Sequence, residues 1–203
     1  MNLEVKLGGM GPEIAVGGNS RNAMYVTQHG GAFETAVNRG RVFSVASQVG
    51  ITSQAGLSGT TPALTLYNRP GSGVKMVLWY AGAVFTVAFG TAGAIWLAAG
   101  TNTVAAAVTG TETTAHRNLK LGGGAPSQVP LLAATLPAAP VGIDLLGVGL
   151  TGAITVALSL SPVERWYSGG VILMPGTNIS IQTGVASGTS ATFCSYIWEE
   201  VDL

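Results

Sequence analysis

Charge is the scarcest ingredient of this chain. Nine Lys and Arg balance nine Asp and Glu in 203 residues, so charged side chains make up 9%, against roughly 25% in an ordinary soluble domain. No basic stripe is present to meet a nucleic-acid backbone. A neutral, charge-poor surface associates readily, which suits a subunit packed among others. Cysteine is scarcer still. With Cys194 alone, no internal disulfide can form. A catalytic thiol needs a positioned base, and the only histidines are His29 and His116, which lack metal-ligand spacing. Cys194 reads as a small buried hydrophobe in a strand-like run, and the histidines read as surface or cap residues. No metal, cofactor or catalytic residue is expected.

An export signal and a membrane helix are not expected either. The opening, MNLEVKLGGMGPEI, carries Glu4 and has no apolar core of the signal-peptide kind. Met76–Ala99 runs 24 residues without a charge, long enough for about 20 spanning residues. Gly82, Gly90 and Gly93 interrupt it, Val84–Phe89 is crowded with β-branched and aromatic residues, and only Lys75 flanks it. Two strands around Gly90–Gly93 are the simpler reading.

What the chain has in quantity is punctuation, with 30 Gly and 9 Pro. The organising stretch is Ala63–Phe89. Two apolar runs flank Asn68-Arg69-Pro70-Gly71-Ser72-Gly73, where Pro fixes φ, Gly tolerates positive φ, and Asn and Ser bond their own backbone. A β-hairpin or β-corner is expected there, with Gly71 or Gly73 at positive φ. A second turn, Pro175-Gly176, precedes Thr177–Thr183, whose apolar Ile179 and Ile181 alternate with polar neighbours. Further strands are expected at Val42–Ser47, Gly50–Leu57, Leu64–Asn68, Lys75–Ala81, Ala83–Phe89, Ala94–Ala98, Gly142–Val148, Gly152–Ser159, Val171–Met174 and Ala191–Val201. Val104–Val108 reads as a strand or a helical turn, Gly110–Asn118 as a loop, and Ser161–Glu164 as a turn.

Short strands with a turn every 8–12 residues predict an all-β fold, a jelly-roll-like β-sandwich over residues 42–203, with less than about a tenth helix. Residues 1–41 hold seven of the eighteen charges and four glycine breaks. They read as an extended N-terminal arm, with strand-like pieces at Ala23–Thr27 and Gly31–Thr35, lying on the main domain or on a neighbour. Arg21, Phe33, Arg39, Arg41 and Phe43 are the expected contacts to that neighbour.

Chemical motifs are sparse. Gly147-Val-Gly149-Leu-Thr-Gly152 matches G-x-G-x-x-G, but strand-like sequence follows where a dinucleotide site needs a helix. Arg165-Trp166-Tyr167 reads as a bent strand start rather than a stacking platform. Glu199 and Glu200 alternate across a strand and read as solvated edge charges. A polysaccharide-cleaving site would need converging carboxylates, and only Glu112, Asp144 and Glu164 lie mid-chain. No enzyme is expected.

Three stretches resemble small structural proteins of tailed bacteriophages. They are His29–Glu34 running into Arg39–Phe43, then Leu66–Gly73 before an apolar strand, and Leu173–Ile181 together with Trp198–Val201. Arg69 stands where proline is more usual in that turn. The resemblance implies a virion β-sandwich subunit, assembled in the host cytoplasm. Its expected role is a capsid decoration (cement) protein that binds the outer shell, with itself (a homotrimer) and the major capsid protein or another virion protein as partners. The alternative is a tail or head-fibre protein that attaches to the host surface. A host glycan would then be a partner, and Trp79, Tyr80, Trp96, Trp166 and Tyr167 are its candidate contacts.

Overall fold

The computed structural model describes residues 31–87, 89–149, 162–186 and 191–203, and the backbone of three short strands before residue 31. Of the described residues 54% are strand and 4% helix, which meets the all-β expectation. The early strands, β1 (Leu3–Val5), β2 (Ile14–Gly18) and β3 (Met24–Val26), pair antiparallel in that order. The one helix among the described residues, α1 (Ala32–Asn38), follows. The remaining strands are β4 (Val42–Ala46), β5 (Leu64–Asn68), β6 (Val74–Phe85), β7 (Gly93–Thr101), β8 (Thr109–Glu112), β9 (His116–Asn118), β10 (Leu131–Thr135), β11 (Val141–Gly149), β12 (Val163–Leu173), β13 (Thr177–Thr183) and β14 (Thr192–Asp202).

These form two antiparallel sheets packed face to face. One is six-stranded, in the order β11-β7-β13-β5-β10-β8, and the other five-stranded, β12-β6-β14-β4-β9. The core lies between them. Leu64, Leu66, Ile95, Leu97, Ile179 and Ile181 come from the first sheet, and Val45, Met76, Leu78, Tyr196 and Trp198 from the second. Alternation explains the choice of face. On β14, Cys194, Tyr196 and Trp198 are buried while Phe193, Ser195 and Ile197 between them are only half-buried. Burying each large apolar side chain contributes about 1.5–3 kcal/mol.

Both turns singled out in the sequence meet at one end of the sandwich. Asn68–Gly73 carries the chain from the six-stranded to the five-stranded sheet, so it is a corner and not a hairpin. Gly71 and Gly73 have φ of 74° and 76°, and Gly176 has 85°. The fully buried Asn68 organises both turns. Its Nδ2 donates to the carbonyls of Val74 and Leu173, each at 2.9 Å, and its Oδ1 accepts from Ser72 Oγ at 2.6 Å. Its carbonyl accepts from Gly176 N at 2.9 Å, just after Pro175.

Several expectations change. Gly31–Thr35 is not a strand but the start of α1. That helix closes with Gly40 at φ 71° and the bonds Gly40 N to Val37 O and Arg41 N to Ala36 O, the pattern of a Schellman end. Gly50–Leu57 is not a strand either. It crosses the end of the sandwich, touching β14 at Ile51–Thr192 and β13 at Ala55–Thr183. The two strands expected around Gly82 are one, β6. Val104–Val108 is neither strand nor helical turn, Gly110–Asn118 contributes to β8 and β9, and β12 begins at Val163. The strand expected at Gly152–Ser159 lies outside the described residues.

Glu199 and Glu200 are not solvated edge charges, because β14 is a central strand and both are buried. Glu199 pairs with Arg41 at 2.7 Å. Glu200 accepts from Ser127 N (2.8 Å), Gln128 N (3.0 Å) and Trp198 Nε1 (3.3 Å).

Two stability predictions follow from these contacts. Tyr196 Oη donates to Leu64 O at 3.1 Å and accepts from Ile181 N at 2.9 Å, both in the opposite sheet. Tyr196→Phe keeps the ring but strands two backbone groups, so urea unfolding should register a loss of roughly 2–4 kcal/mol. A Cβ at Gly71 would meet nothing within 4 Å, so any penalty there is conformational. Gly71→Val should cost over ~1 kcal/mol and Gly71→Asn clearly less. Equal costs would refute the backbone explanation.

Candidate functional site

The outer face of the five-stranded sheet gathers the aromatic residues. On β6 the buried side chains are Met76 and Leu78, then Ala81, Ala83 and Phe85, with Gly82 buried beneath Tyr80. The phase slips at Trp79, which both neighbouring strands skip: β14 pairs Ile197 with Tyr80 and then Trp198 with Leu78, while β12 pairs Trp166 with Tyr80 and then Val171 with Leu78. This bulge turns Trp79 and Tyr80 away from the core together. Trp166 lies across from Tyr80, with ring centroids 5.2 Å apart. From α1, Phe33 meets Trp79 edge-on at 5.1 Å and Trp166 at 6.2 Å. Such pairs add about 0.5–1.5 kcal/mol beyond area burial. Trp166 remains 58% exposed.

Tyr80 lies flat because Gly82 has no side chain. A Cβ there would come within 2.4 Å of the Tyr80 hydroxyl. That hydroxyl donates to Glu164 Oε2 at 2.8 Å. Partial burial, and then the nearby Glu164 carboxylate, raise the Tyr80 pKa, so the hydroxyl stays protonated as a donor. Beside it is a pocket of about 210 Å³ lined by Tyr80, Gly82, Val84, Pro162, Phe193 and Ser195, among others.

Around the edge, β12 bulges again through Tyr167–Gly170, with Ser168 and Gly169 at φ 48° and 85°. Tyr167 Oη donates to Asp144 Oδ2 at 2.7 Å and Arg165 Nη1 to Asp144 Oδ1 at 2.5 Å. This cluster ties the edge strands β11 and β12 of the two sheets. Burial, then Asp144, push the Tyr167 pKa up. A groove of about 350 Å³ runs between the same edges, lined by Val141, Ile143, Val171 and Ile172 among others.

Of the candidate stacking residues, Trp79, Tyr80 and Trp166 come together, Tyr167 turns to Asp144, and Trp96 sits apart on β7, against Gly142. Among the expected inter-subunit residues, Arg21 lies outside the described residues. Phe33 packs on the chain's own sandwich. Arg39 is exposed at the end of α1, and Arg41 is engaged by Glu199. Phe43 cannot face a neighbour. It is 4% exposed, with its ring 5.8 Å from Trp198.

Gly147, Val148 and Gly149 of the G-x-G-x-x-G match lie at the end of strand β11, and its remaining residues fall outside the described ones. These two glycines make room for packing, since a Cβ at Gly147 would meet Val163 at 2.8 Å and one at Gly149 would meet Phe89 at 2.5 Å. Glu112, Asp144 and Glu164 have separate partners, Arg69, Arg165 and Tyr80. Among the described residues no three His, Cys, Asp or Glu come together as metal ligands, and no helix is long and apolar enough to cross a membrane. His116 holds Thr113 O through Nδ1 at 3.0 Å. No protein-family model, curated protein or solved structure matches the chain.

Cys194 is 2% exposed in the core, and burial pushes its thiol from 9.0 up to about 12. The native thiol should resist iodoacetamide at pH 8 and react fully in urea. A raised folded pKa stabilises the fold fully below pH 9.0, and that contribution is lost as pH climbs toward about 12. Cys194→Ala should therefore flatten the alkaline end of the stability–pH curve. Rapid native alkylation would contradict this burial.

Proposed function

We propose that the chain is a structural subunit of a tailed-bacteriophage virion, a decoration protein that binds the outer capsid shell and stabilises it through contacts between subunits. The observation that carries this is the connectivity. Counting β4, β5, β6, β7, β11, β12, β13 and β14 as one to eight, the sheets run 1-8-3-6 and 2-7-4-5. We read this as a jelly roll, with β8–β10 inserted between the fourth and fifth strands. Viral capsid proteins use that fold, but so do lectins and cupins, so the surface must supply the rest. A charge content of 9% supports life inside an assembly. So do the edge strands β11 and β12, which leave Val141, Ile143, Leu145, Ile172 and Met174 exposed. Self-association into a trimer and docking on a capsid protein would both cover such an edge.

The second reading is a fibre subunit that attaches to a host surface. The exposed indole of Trp166 favours it.

Quantitative mass spectrometry of purified particles separates the two. Hundreds of copies per particle support decoration, a dozen or so support a fibre, and absence from particles overturns both. The arm gives a sharper test. Because Phe33 and Ala36 of α1 pack on the sandwich, the cut belongs before the helix. Deleting residues 1–30 should leave the thermal midpoint within a few degrees of the full chain and abolish co-sedimentation with stripped particles. A truncated protein that binds like the full chain would show that the arm has no role between subunits.

A further inference from the structure

We propose that the outer face of the five-stranded sheet binds a neutral glycan, with one pyranose ring seated on Trp166 and the adjoining pocket beside Tyr80. The inference does not depend on where in a particle the protein resides.

The platform comes first. Trp166 is 58% exposed although Phe33 and Tyr80 hold its ring in place. An indole that is both braced and open presents a fixed π-face. Its negative quadrupole attracts the polarised C–H groups on the flat side of a sugar. The pocket comes second. Its small floor, Gly82, Ala83 and Ser195, leaves about 210 Å³, less than the ~300–1,000 Å³ that encloses a drug-sized ligand. That size suits one ring of a longer chain. Tyr80 lines the pocket and its ring also packs, tilted, against Trp166 at 5.2 Å, so platform and pocket are continuous.

The polar groups select the chemistry. Glu164 is exposed, and only its Oε2 is engaged, by Tyr80. Its Oε1 has no partner among the described residues and can only accept, as a carboxylate does. A ligand rich in hydroxyl donors satisfies it. Glu164 is in none of the ion pairs among the described residues, so its charge repels phosphates and uronates. The adjacent Arg165 is tied to Asp144. Nucleic acid and acidic polysaccharide are therefore disfavoured, and neutral sugars are left.

The full-length protein should be screened against an array of neutral and acidic polysaccharides, then titrated with cellotetraose, the N-acetylglucosamine tetramer and a tetragalacturonate. At least one neutral probe should bind and shift the Trp166 indole N–H signal in wild-type NMR spectra, leaving that of buried Trp198 in place. Trp166→Ala should weaken binding at least tenfold, and Leu121→Ala, a distant exposed site, should leave it unchanged. If Trp166→Ala does not fold, the wild-type indole shift decides. The proposal is overturned if no neutral probe binds, if the acidic probes bind better, or if binding leaves the Trp166 signal unmoved. A folded Trp166→Ala protein that binds like wild type overturns it as well.

Discussion

The sandwich depends on a tie between its sheets that is made by one hydroxyl. Pairing of β13 with β5 runs from Thr177–Asn68 to Ser180–Thr65 and then stops. The next backbone donor, Ile181 N, and the carbonyl of Leu64 would be left open inside the core. Tyr196 reaches across from β14 and serves both. Burial holds its phenol far above its ordinary pKa, so the proton needed for donation stays in place. The ladder can open at that point because the sheet opposite supplies the missing rung. The segment after β4 then takes up the free edge of β13, through Ala55–Thr183 and the Ser53–Thr183 hydroxyl contact at 2.7 Å.

Scarce charge is spent the same way. Arg41 with Glu199, and Glu200 with the backbone of Ser127 and Gln128, anchor the segments that flank β14. Asp144 with Arg165 closes the sandwich where the edges of its two sheets meet. With charged residues at only 9% of the chain, aromatic and small side chains set much of the chemistry of the outer surfaces. The braced indole of Trp166 and the unprotected apolar edge nearby are two products of that economy. One offers a shaped, polar-rimmed platform, the other only area.

Much of the fold could be read from local chemistry. Leu64–Asn68 and Thr177–Thr183 were legible to the residue because Gly and Pro bound them, the first being an apolar run and the second alternating apolar with polar residues. The positive φ at Gly71 and Gly73 followed from turn chemistry alone. The failures share a physical cause. Gly50–Leu57 has strand-like residues, but its pairing is split between two sheets, which no local pattern records. Glu199 and Glu200 looked solvated because their partners Arg41 and Gln128 lie over 150 and over 70 residues away. Of the candidate site, Trp79, Tyr80 and Trp166 were legible as aromatics. Their convergence depends on a bulge at Trp79, and Phe33 joins them through a helix that was read as a strand. The stop signal for that helix, Gly40 after Asn38-Arg39, was present in the sequence.

The placement of β14 bears on how the molecule is made. The last strand in the chain lies between β4 and β6, and β13, just before it, lies between β5 and β7. A ribosome-bound chain that has emitted β4–β12 therefore holds two half-built sheets, each missing its middle. Their exposed strand edges are surfaces that invite wrong pairing. Pairings such as Ser44 with Ile197 join strands far apart in the sequence, and non-local closure of this kind is slow. Completion therefore waits on β13 and β14 and is close to all-or-none, with these two strands acting as keystones. Losing β13 and β14 would remove the centre of both sheets at once, not trim an edge.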